Sequence, residues 1–475
     1  MLDTGIRQLR MARSLIWGRP ISSENVRRLV GDALRTLEEF GEPGDDVQQL
    51  LDGPYADPNL RESFQTRALR RTAIRAASVT PFYRHLFADA GLAPDKLTLE
   101  DLPRLQLTHK QDLLDRPGDF IADGSRPYLA TRTTGTTGRP TQIWLSRQEI
   151  ELWPAMAALS GLLRGEIGPD DCMQINISSR ATAAVQQNVT VCALVGAHCV
   201  VLGLVPPEES LDGLLDGDEA APTLLSTYPS YLAQLVQAAR LRGLGPEAFR
   251  LRRIDCGGEL LSASLAAAAV ETFGADVNDT FAMTEVLPVS GRTCAEGHLH
   301  HDLNMGLVEI VDVEGGRPVE PGEIGTVVIT PYYPFRECMP VLRYNTRDLV
   351  RRLPDEALDC ELAGTPGTSQ ILGKADQLLR AQGRLVTPRD LVEVYEALPS
   401  QPWPARFEAR QEGESIVLSV PRSALGIAGP EALEARFRAV GIVVRVSVVE
   451  DDAAGRRLRS TRADLLETTF ASEER

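Results

Sequence analysis

Residues 131–141 read Thr-Arg-Thr-Thr-Gly-Thr-Thr-Gly-Arg-Pro-Thr, which sets five hydroxyls (Thr131, Thr133, Thr134, Thr136, Thr137) around two glycines (Gly135, Gly138). Glycine permits positive φ and close approach of the backbone. Successive N–H groups can therefore turn toward one anion while the threonine hydroxyls add donors. That is the chemistry of a phosphate cradle. It differs from the common P-loop, because no Gly-Lys-Ser/Thr follows and the next charged residue is Arg139. Taken alone, the stretch reads more readily as a polar Gly/Thr hairpin.

A second cluster has donors for a metal. Three of the six histidines fall in Cys294-Ala295-Glu296-Gly297-His298-Leu299-His300-His301-Asp302. With five residues between them on a turn, Cys294 and His300 can share a tetrahedral Zn²⁺, and Cys338 in Arg336-Glu337-Cys338-Met339-Pro340 offers a further thiolate. Cys294, His300 and Cys338 are the expected first three ligands, with the fourth open among His298, His301, Cys256 and Cys360. The competing reading is a polar β-hairpin with an unbound thiol.

The elements that must position these groups alternate between helix and strand. Ile6–Trp17 and Ser23–Phe40 read as amphipathic helices, the second with Val26, Leu29, Val30, Leu34 and Leu37 at helical spacing and Ser23 as its cap. A Gly/Pro/Asp-rich break follows at 41–46, and Glu62–Ala77 reads as a basic helix. Gln142–Leu145 has strand character, with Ser146 capping a helix from Arg147 to Arg164. Met173–Ile177 and His198–Leu202 read as short buried strands, Thr223–Thr227 as another, and Ser230–Arg242 as a helix. This alternation predicts an α/β domain with mostly parallel sheets. Leu251–Cys256 is a strand running into Gly257-Gly258-Glu259, which leaves its carboxyl end open for a flat ligand. Beyond Gly383, strands at Ser415–Val420 and Val443–Val449 and a helix at Glu431–Val440 make a small α+β unit of about 100 residues.

Composition excludes some functions. The 475 residues carry 50 basic and 66 acidic side chains, a net charge of −16, which disfavours a nucleic-acid surface. No apolar run reaches the roughly 18 residues needed to span a bilayer, and the N-terminus has no signal-peptide core. The seven cysteines form no small secreted disulfide framework. A cytoplasmic enzyme with no membrane partner is the expectation. Three lysines (Lys96, Lys110, Lys374) stand against a large excess of arginine.

Several motifs in order resemble the adenylate-forming superfamily, and in particular its phenylacetate-CoA ligase branch. They are Thr80-Pro81-Phe82-Tyr83 with Leu107-Thr108-His109-Lys110-Gln111-Asp112-Leu113; the Gly/Thr loop; Gly257-Gly258-Glu259; Phe281-Ala282-Met283-Thr284-Glu285; Leu342-Arg343-Tyr344-Asn345-Thr346-Arg347-Asp348; and Gly373-Lys374-Ala375-Asp376. The resemblance covers roughly residues 78–465 and implies three regions: a helical extension at 1–60, an adenylation domain at 61–373 and a mobile C-terminal domain at 374–475. It also implies ATP, Mg²⁺ and a carboxylic acid, read as aromatic, with transfer to CoA or a carrier protein. Some relatives carry a structural zinc near the Cys/His cluster.

Residue by residue, the resemblance lays Thr133, Thr134, Gly135, Thr136, Thr137 and Gly138 around phosphate and sets Gly258, Glu259 and Phe281 against nucleotide and substrate. It gives Thr284 the α-phosphate and Glu285 the Mg²⁺. Asp348 would accept both ribose hydroxyls, and Asp376 would be the hinge. Arg180, Tyr228 and Cys256 are the expected acid-side residues.

One departure bears on mechanism. The superfamily's C-terminal lysine neutralises charge developing at the α-phosphate. The matching stretch here is Gly455-Arg456-Arg457-Leu458-Arg459, with no lysine. Three explanations stand: Arg457 or Arg459 takes the role; Lys374 or Lys110 reaches the site; or the nucleophile needs less help, as in relatives that activate nitrite for diazotising an aryl amine. An inactive nucleotide-binding homologue is a further alternative. The N-terminal helices offer a homodimer surface.

Overall fold

The computed structural model describes residues 2–17, 21–40, 57–132, 140–179, 181–215, 217, 221–354, 358–360, 362, 364–398, 402–427 and 429–451. The chain divides into two compact units. One comprises Met1–Asp171, Ser179–Cys199 and Phe281–Gln370; the other comprises Cys172–Ser178, Val200–Thr280 and Ile371–Arg475. Mixed α/β architecture is present in both, as the alternating pattern predicts.

In the first unit the helices Leu2–Trp17 and Ser23–Phe40 are held together by Arg7, whose Nε and Nη2 donate to the Asp32 carboxylate at 2.7 and 2.8 Å. The second helix is capped by Ser22 rather than Ser23: the Asn25 N–H donates to Ser22 Oγ at 3.3 Å. Ser23 instead donates to Glu151 at 3.0 Å on the helix Arg147–Leu163, which ties the N-terminal pair to the rest of the unit.

That helix begins with a capping box, Ser146 with Glu149, and Glu149 does more than cap. Its Oε2 accepts from Ser146 N at 2.6 Å, and its Oε1 accepts from Glu337 N and Cys338 N at 2.8 and 3.2 Å. Arg336, fully buried with it, stands 3.9 Å away and donates to the carbonyls of Met339 (2.8 Å) and Leu287 (3.3 Å). One buried ion pair thus joins a helix start to the 335–340 turn.

Gly306–Val311, Ile324–Pro331 and Tyr344–Arg351 form an antiparallel sheet in this unit. Arg343 enters it with φ 48°, buried. It forks onto Glu309 at 2.9–3.2 Å and donates to the carbonyls of Leu102, Leu105 and Gly316. The motif arginine is therefore architectural, using its planar fork where a lysine would satisfy fewer acceptors. A second antiparallel set, Ser290–Thr293, His298–His301 and Gly367–Ser369, carries the Cys/His cluster.

In the second unit Cys172–Asn176, Leu224–Thr227, Arg253–Gly257 and Asp276–Ala282 pair in parallel in that order. Cys172–Asn176 and Leu224–Thr227 are buried at every position, as strands covered on both faces must be. The polar side chains among them satisfy one another: Gln174 donates to Asn176 Oδ1 and Ser210, and Asn176 donates to the Gly203 carbonyl at 2.9 Å. His198–Val201, expected to be buried, is half-exposed along its length.

The C-terminal part of this unit is α+β. Glu408–Glu412 runs antiparallel to Ser415–Pro421, which runs parallel to Val444–Val449. Tyr395 and Phe437, both fully buried, fill its core, each worth about 1.5–3 kcal/mol by burial. Among the described residues no helix is long and apolar enough to cross a membrane.

Candidate active site and metal centre

Phe281 is the second-last residue of the strand Asp276–Ala282, and Thr284–Val286 follows as one turn of 3₁₀ helix that lifts Thr284 and Glu285 out of the ladder. Glu285 is buried, as are Tyr344 and Asp348. The Tyr344 hydroxyl is pushed well above its ordinary range, first by burial and then by the carboxylates of Glu285 and Asp348. Two anionic groups from distant points in the sequence therefore act on one phenol. Asp348 is held in register by its own N–H, which donates to Thr346 Oγ1 at 3.1 Å, while that hydroxyl donates to the Val327 carbonyl at 2.8 Å. The buried carboxylate at Glu285 is a suitable hard-oxygen ligand for Mg²⁺. Arg336 also feels the Glu285 carboxylate, although burial dominates and lowers the guanidinium's pKa.

In the second unit the glycines of Gly257-Gly258-Glu259 have separate uses. A Cβ on Gly257 would stand 2.8 Å from Thr280 Oγ1, whose hydroxyl donates to the Cys256 carbonyl, so close strand packing requires glycine there. Gly258 has φ 80° and turns the chain. Glu259 accepts the Ser230 N–H at 2.8 Å, at the start of the helix Pro229–Leu241, and Tyr228 precedes that helix as its N-cap residue. Cys256 is fully buried, and burial raises its thiol pKa, followed by Asp279, Asp255 and Glu259.

Asp279 is a group the sequence reading missed. Burial raises its pKa to about 6 against the opposing pull of Arg389, whose Nη2 lies 3.9 Å away. Arg389 sits in the first turn of the helix Pro388–Glu396 and donates to the carbonyls of Ile371 and Leu261 at 2.6 and 2.9 Å. Lys374 lies upstream, in the short strand Gly373–Lys374, where Pro388, the residue before Arg389, packs so closely on Gly373 that a Cβ would stand 2.3 Å from its Cγ. Asp376 is exposed on the following turn.

The metal donors converge in the first unit, as a different set from that expected. Cys294 Sγ, one ring nitrogen each of His298 and His300, and Cys360 Sγ all lie within 4.8 Å of one another. The turn at Gly297 (φ 79°) folds His298 back so that its N–H donates to Cys294 Sγ at 3.3 Å. His300 Nδ1 is 2.9 Å from the Thr365 carbonyl, and its Nε2 lies 3.6 Å from Cys360 Sγ. A carbonyl partner on one imidazole nitrogen directs the other at the ion. Two sulfurs and two nitrogens suit tetrahedral zinc. Cys338 is not in the group: it is buried beside Ser125 at 3.8 Å, its N–H spent on Glu149, and burial pushes its thiol up to about 11. Cys256 lies outside the group too. So does His301, because adjacent strand residues face opposite ways.

The Gly/Thr loop residues Thr133, Thr134, Gly135, Thr136, Thr137 and Gly138 lie outside the described residues, as do Arg180, Arg457 and Arg459. Of the loop's flanks, Thr131 and Thr141 are buried.

The family of AMP-binding enzymes matches residues 70–336. The chain belongs to that family. This AMP-binding enzyme is 27% identical to a phenylacetate-coenzyme A ligase of Thermus thermophilus over 379 residues, 74% of this chain and 78% of the relative. It is likewise 27% identical to a phenylacetate-coenzyme A ligase of Pseudomonas putida over 69% of this chain and 74% of that one. Among solved structures, 2-hydroxyisobutyryl-CoA ligase in the postadenylation state with 2-HIB-AMP superposes with a TM-score of 0.71 at 21% identity, covering 87% of this chain and 92% of that one. The phenylacetate-CoA ligase-like branch, the α/β fold and the class of adenylate-forming ligase expected from the motifs all hold. Neither the nitrite-activating reading nor the inactive one draws support from these relatives.

Proposed function

We propose that this AMP-binding enzyme activates an aromatic carboxylic acid as its acyl-adenylate and passes the acyl group to CoA. The observation that carries the reading is that Glu285, on the same turn as Thr284, and Asp348, from a distant strand, are both buried and both act electrostatically on the Tyr344 hydroxyl. In the first step an oxygen of the acid carboxylate bonds to the α-phosphorus of ATP in line, and the bond to the bridging oxygen breaks to release pyrophosphate. The Thr284 hydroxyl donates to the α-phosphate, Asp348 accepts from the ribose hydroxyls, and the Gly/Thr loop at 133–138 binds the outgoing phosphates. Mg²⁺ at Glu285 supplies positive charge to the phosphate oxygens. In the second step the CoA thiolate attacks the acyl carbonyl carbon, and AMP leaves with the electron pair of the broken acyl–oxygen bond. Arg457, Arg459 or Lys374 takes the place of the missing lysine. Phenylacetate as the named substrate of the two relatives supports an aryl acid here.

Zinc belongs to the same proposal as a structural ion held by Cys294, His298, His300 and Cys360. It would fasten the segment around Cys360, which follows the Asp348 strand, to the turn after Thr293.

The test is pyrophosphate release with ATP and Mg²⁺ across a panel of aryl acids, with and without CoA. One acid should support turnover that yields a thioester, and Glu285→Gln should lower kcat by about 10²–10³-fold, the scale of removing a group aimed at transition-state charge. No release with any aryl acid would refute adenylation of this class. Release that ignores CoA would refute the acceptor.

A further inference from the structure

The strand His298–His301 presents two faces. His298 and His300 point to the sulfur donors on one, so Leu299 and His301 point to the other. There His301 is 5% exposed, with its ring edge-on to Phe281 at 5.4 Å between centroids and 87° between planes. The residue opposite it in the ladder is Gly291, and a Cβ at that position would come within 3.1 Å of His301 Nδ1. The absence of a side chain there makes room for the imidazole.

Neither ring nitrogen of His301 has a hydrogen-bond partner among the described residues. A neutral imidazole carries one donor and one acceptor, and each buried polar atom left unmet costs about 1–3 kcal/mol. Phenylalanine or leucine would pack against Phe281 without that cost. The histidine is therefore retained against the interest of the core, beside the aromatic residue that opens the Phe281–Glu285 run.

We propose that His301 determines specificity for the acid, by hydrogen-bonding a hydroxyl or amino substituent on the substrate's ring. The inference rests on the adenylation reading of Phe281–Glu285. A hydroxyl or amino group both donates and accepts, so it satisfies either tautomer of the imidazole. A site built around such a bond discriminates strongly against the analogue lacking the substituent, because the buried nitrogen is then left unpaired.

The experiment is calorimetric titration of the full-length, metal-containing protein, with a non-hydrolysable ATP analogue present, using hydroxy- and amino-substituted benzoates and arylacetates against their unsubstituted parents. Wild type should bind at least one substituted acid about 10–100-fold tighter than its parent, the factor that one unmet buried polar atom corresponds to. His301→Phe, which keeps a ring against Phe281, should bring that ratio to near one while the melting temperature stays or rises. His301→Gln should retain part of the preference. The proposal is overturned if wild type shows no preference, if His301→Phe preserves it, or if that variant weakens all acids alike while melting lower or losing zinc. Pyrophosphate release, measured separately, distinguishes the two readings. A preference that vanishes in His301→Phe without any release of pyrophosphate upholds His301 and refutes adenylation; release with an unaltered preference does the reverse.

Discussion

Removing one member of the Glu149–Arg336 pair should destabilise the enzyme far more than removing a typical surface charge. Both side chains are fully buried, and Nε stands 3.9 Å from Oε1. With an effective dielectric constant of about 20 the attraction is roughly 4 kcal/mol. Glu149→Gln forfeits it. The substitution also provides one acceptor oxygen where the carboxylate uses two, Oε2 for Ser146 N and Oε1 for Glu337 N and Cys338 N, so one end of the amide must face an N–H. Burial raises the Glu149 pKa in spite of Arg336 and these donors, so removing the charge recovers some desolvation. The net loss should be about 3–5 kcal/mol, as for other buried pairs broken on one side. Urea unfolding of Glu149→Gln, Arg336→Met and the double variant measures it as a shift in midpoint at constant slope. The double variant should cost at least 1 kcal/mol less than the sum of the singles, since the second substitution removes a charge already unpaired. A single-variant loss below about 1 kcal/mol, or strictly additive losses, would refute the argument.

Two further perturbations follow from the same geometry. Cys360→Ala should take the purified protein from one zinc per chain to substoichiometric zinc by atomic emission, whereas Cys338→Ala should leave zinc content unchanged; the opposite pattern would reinstate Cys338 as a ligand. Asp279 titrates near 6, above its ordinary value, so the folded state holds this proton more tightly than the unfolded one. The stability it contributes is present in full below the unfolded pKa of about 4 and is lost as pH rises through about 6. Asp279→Asn removes that dependence. Between pH 5 and 8 wild type should therefore lose on the order of 1–2 kcal/mol relative to the variant, and parallel pH profiles in thermal melting would contradict it.

The parallel strands and the helices between them were legible in the sequence because apolar runs, Gly/Pro punctuation and capping residues reinforce one another over short distances. Ser146 was identified as a cap for that reason. The carboxylate three residues on, which completes the box, reaches Glu337 and Cys338 nearly 190 positions away, and no local pattern shows that. The same limit explains the metal set. Spacing groups Cys294, His298 and His300 on one turn but says nothing about which distant thiol arrives, and the chain brings Cys360 while burying Cys338 against Glu149. Asp279 and Arg389 escaped notice because each looks like an ordinary surface charge until burial and their separation of 3.9 Å are known. Type and order single out Thr284, Glu285 and Asp348 as candidates, and Tyr344 stands in the same motif as Asp348, but that the Glu285 and Asp348 carboxylates act together on its hydroxyl is visible only in the fold.

The strand His298–His301 has a consequence for how this enzyme can change. Donors two residues apart that converge on one point fix the parity of the strand as well as its position. A slip of one residue would carry Leu299 and His301 toward the sulfurs and swing the imidazoles of His298 and His300 toward Phe281. One inserted or deleted residue in the turn at Ala295–Gly297 would thus exchange what both faces present. Variation that tunes the Phe281 side is confined to replacing side chains, while the length of that turn stays fixed.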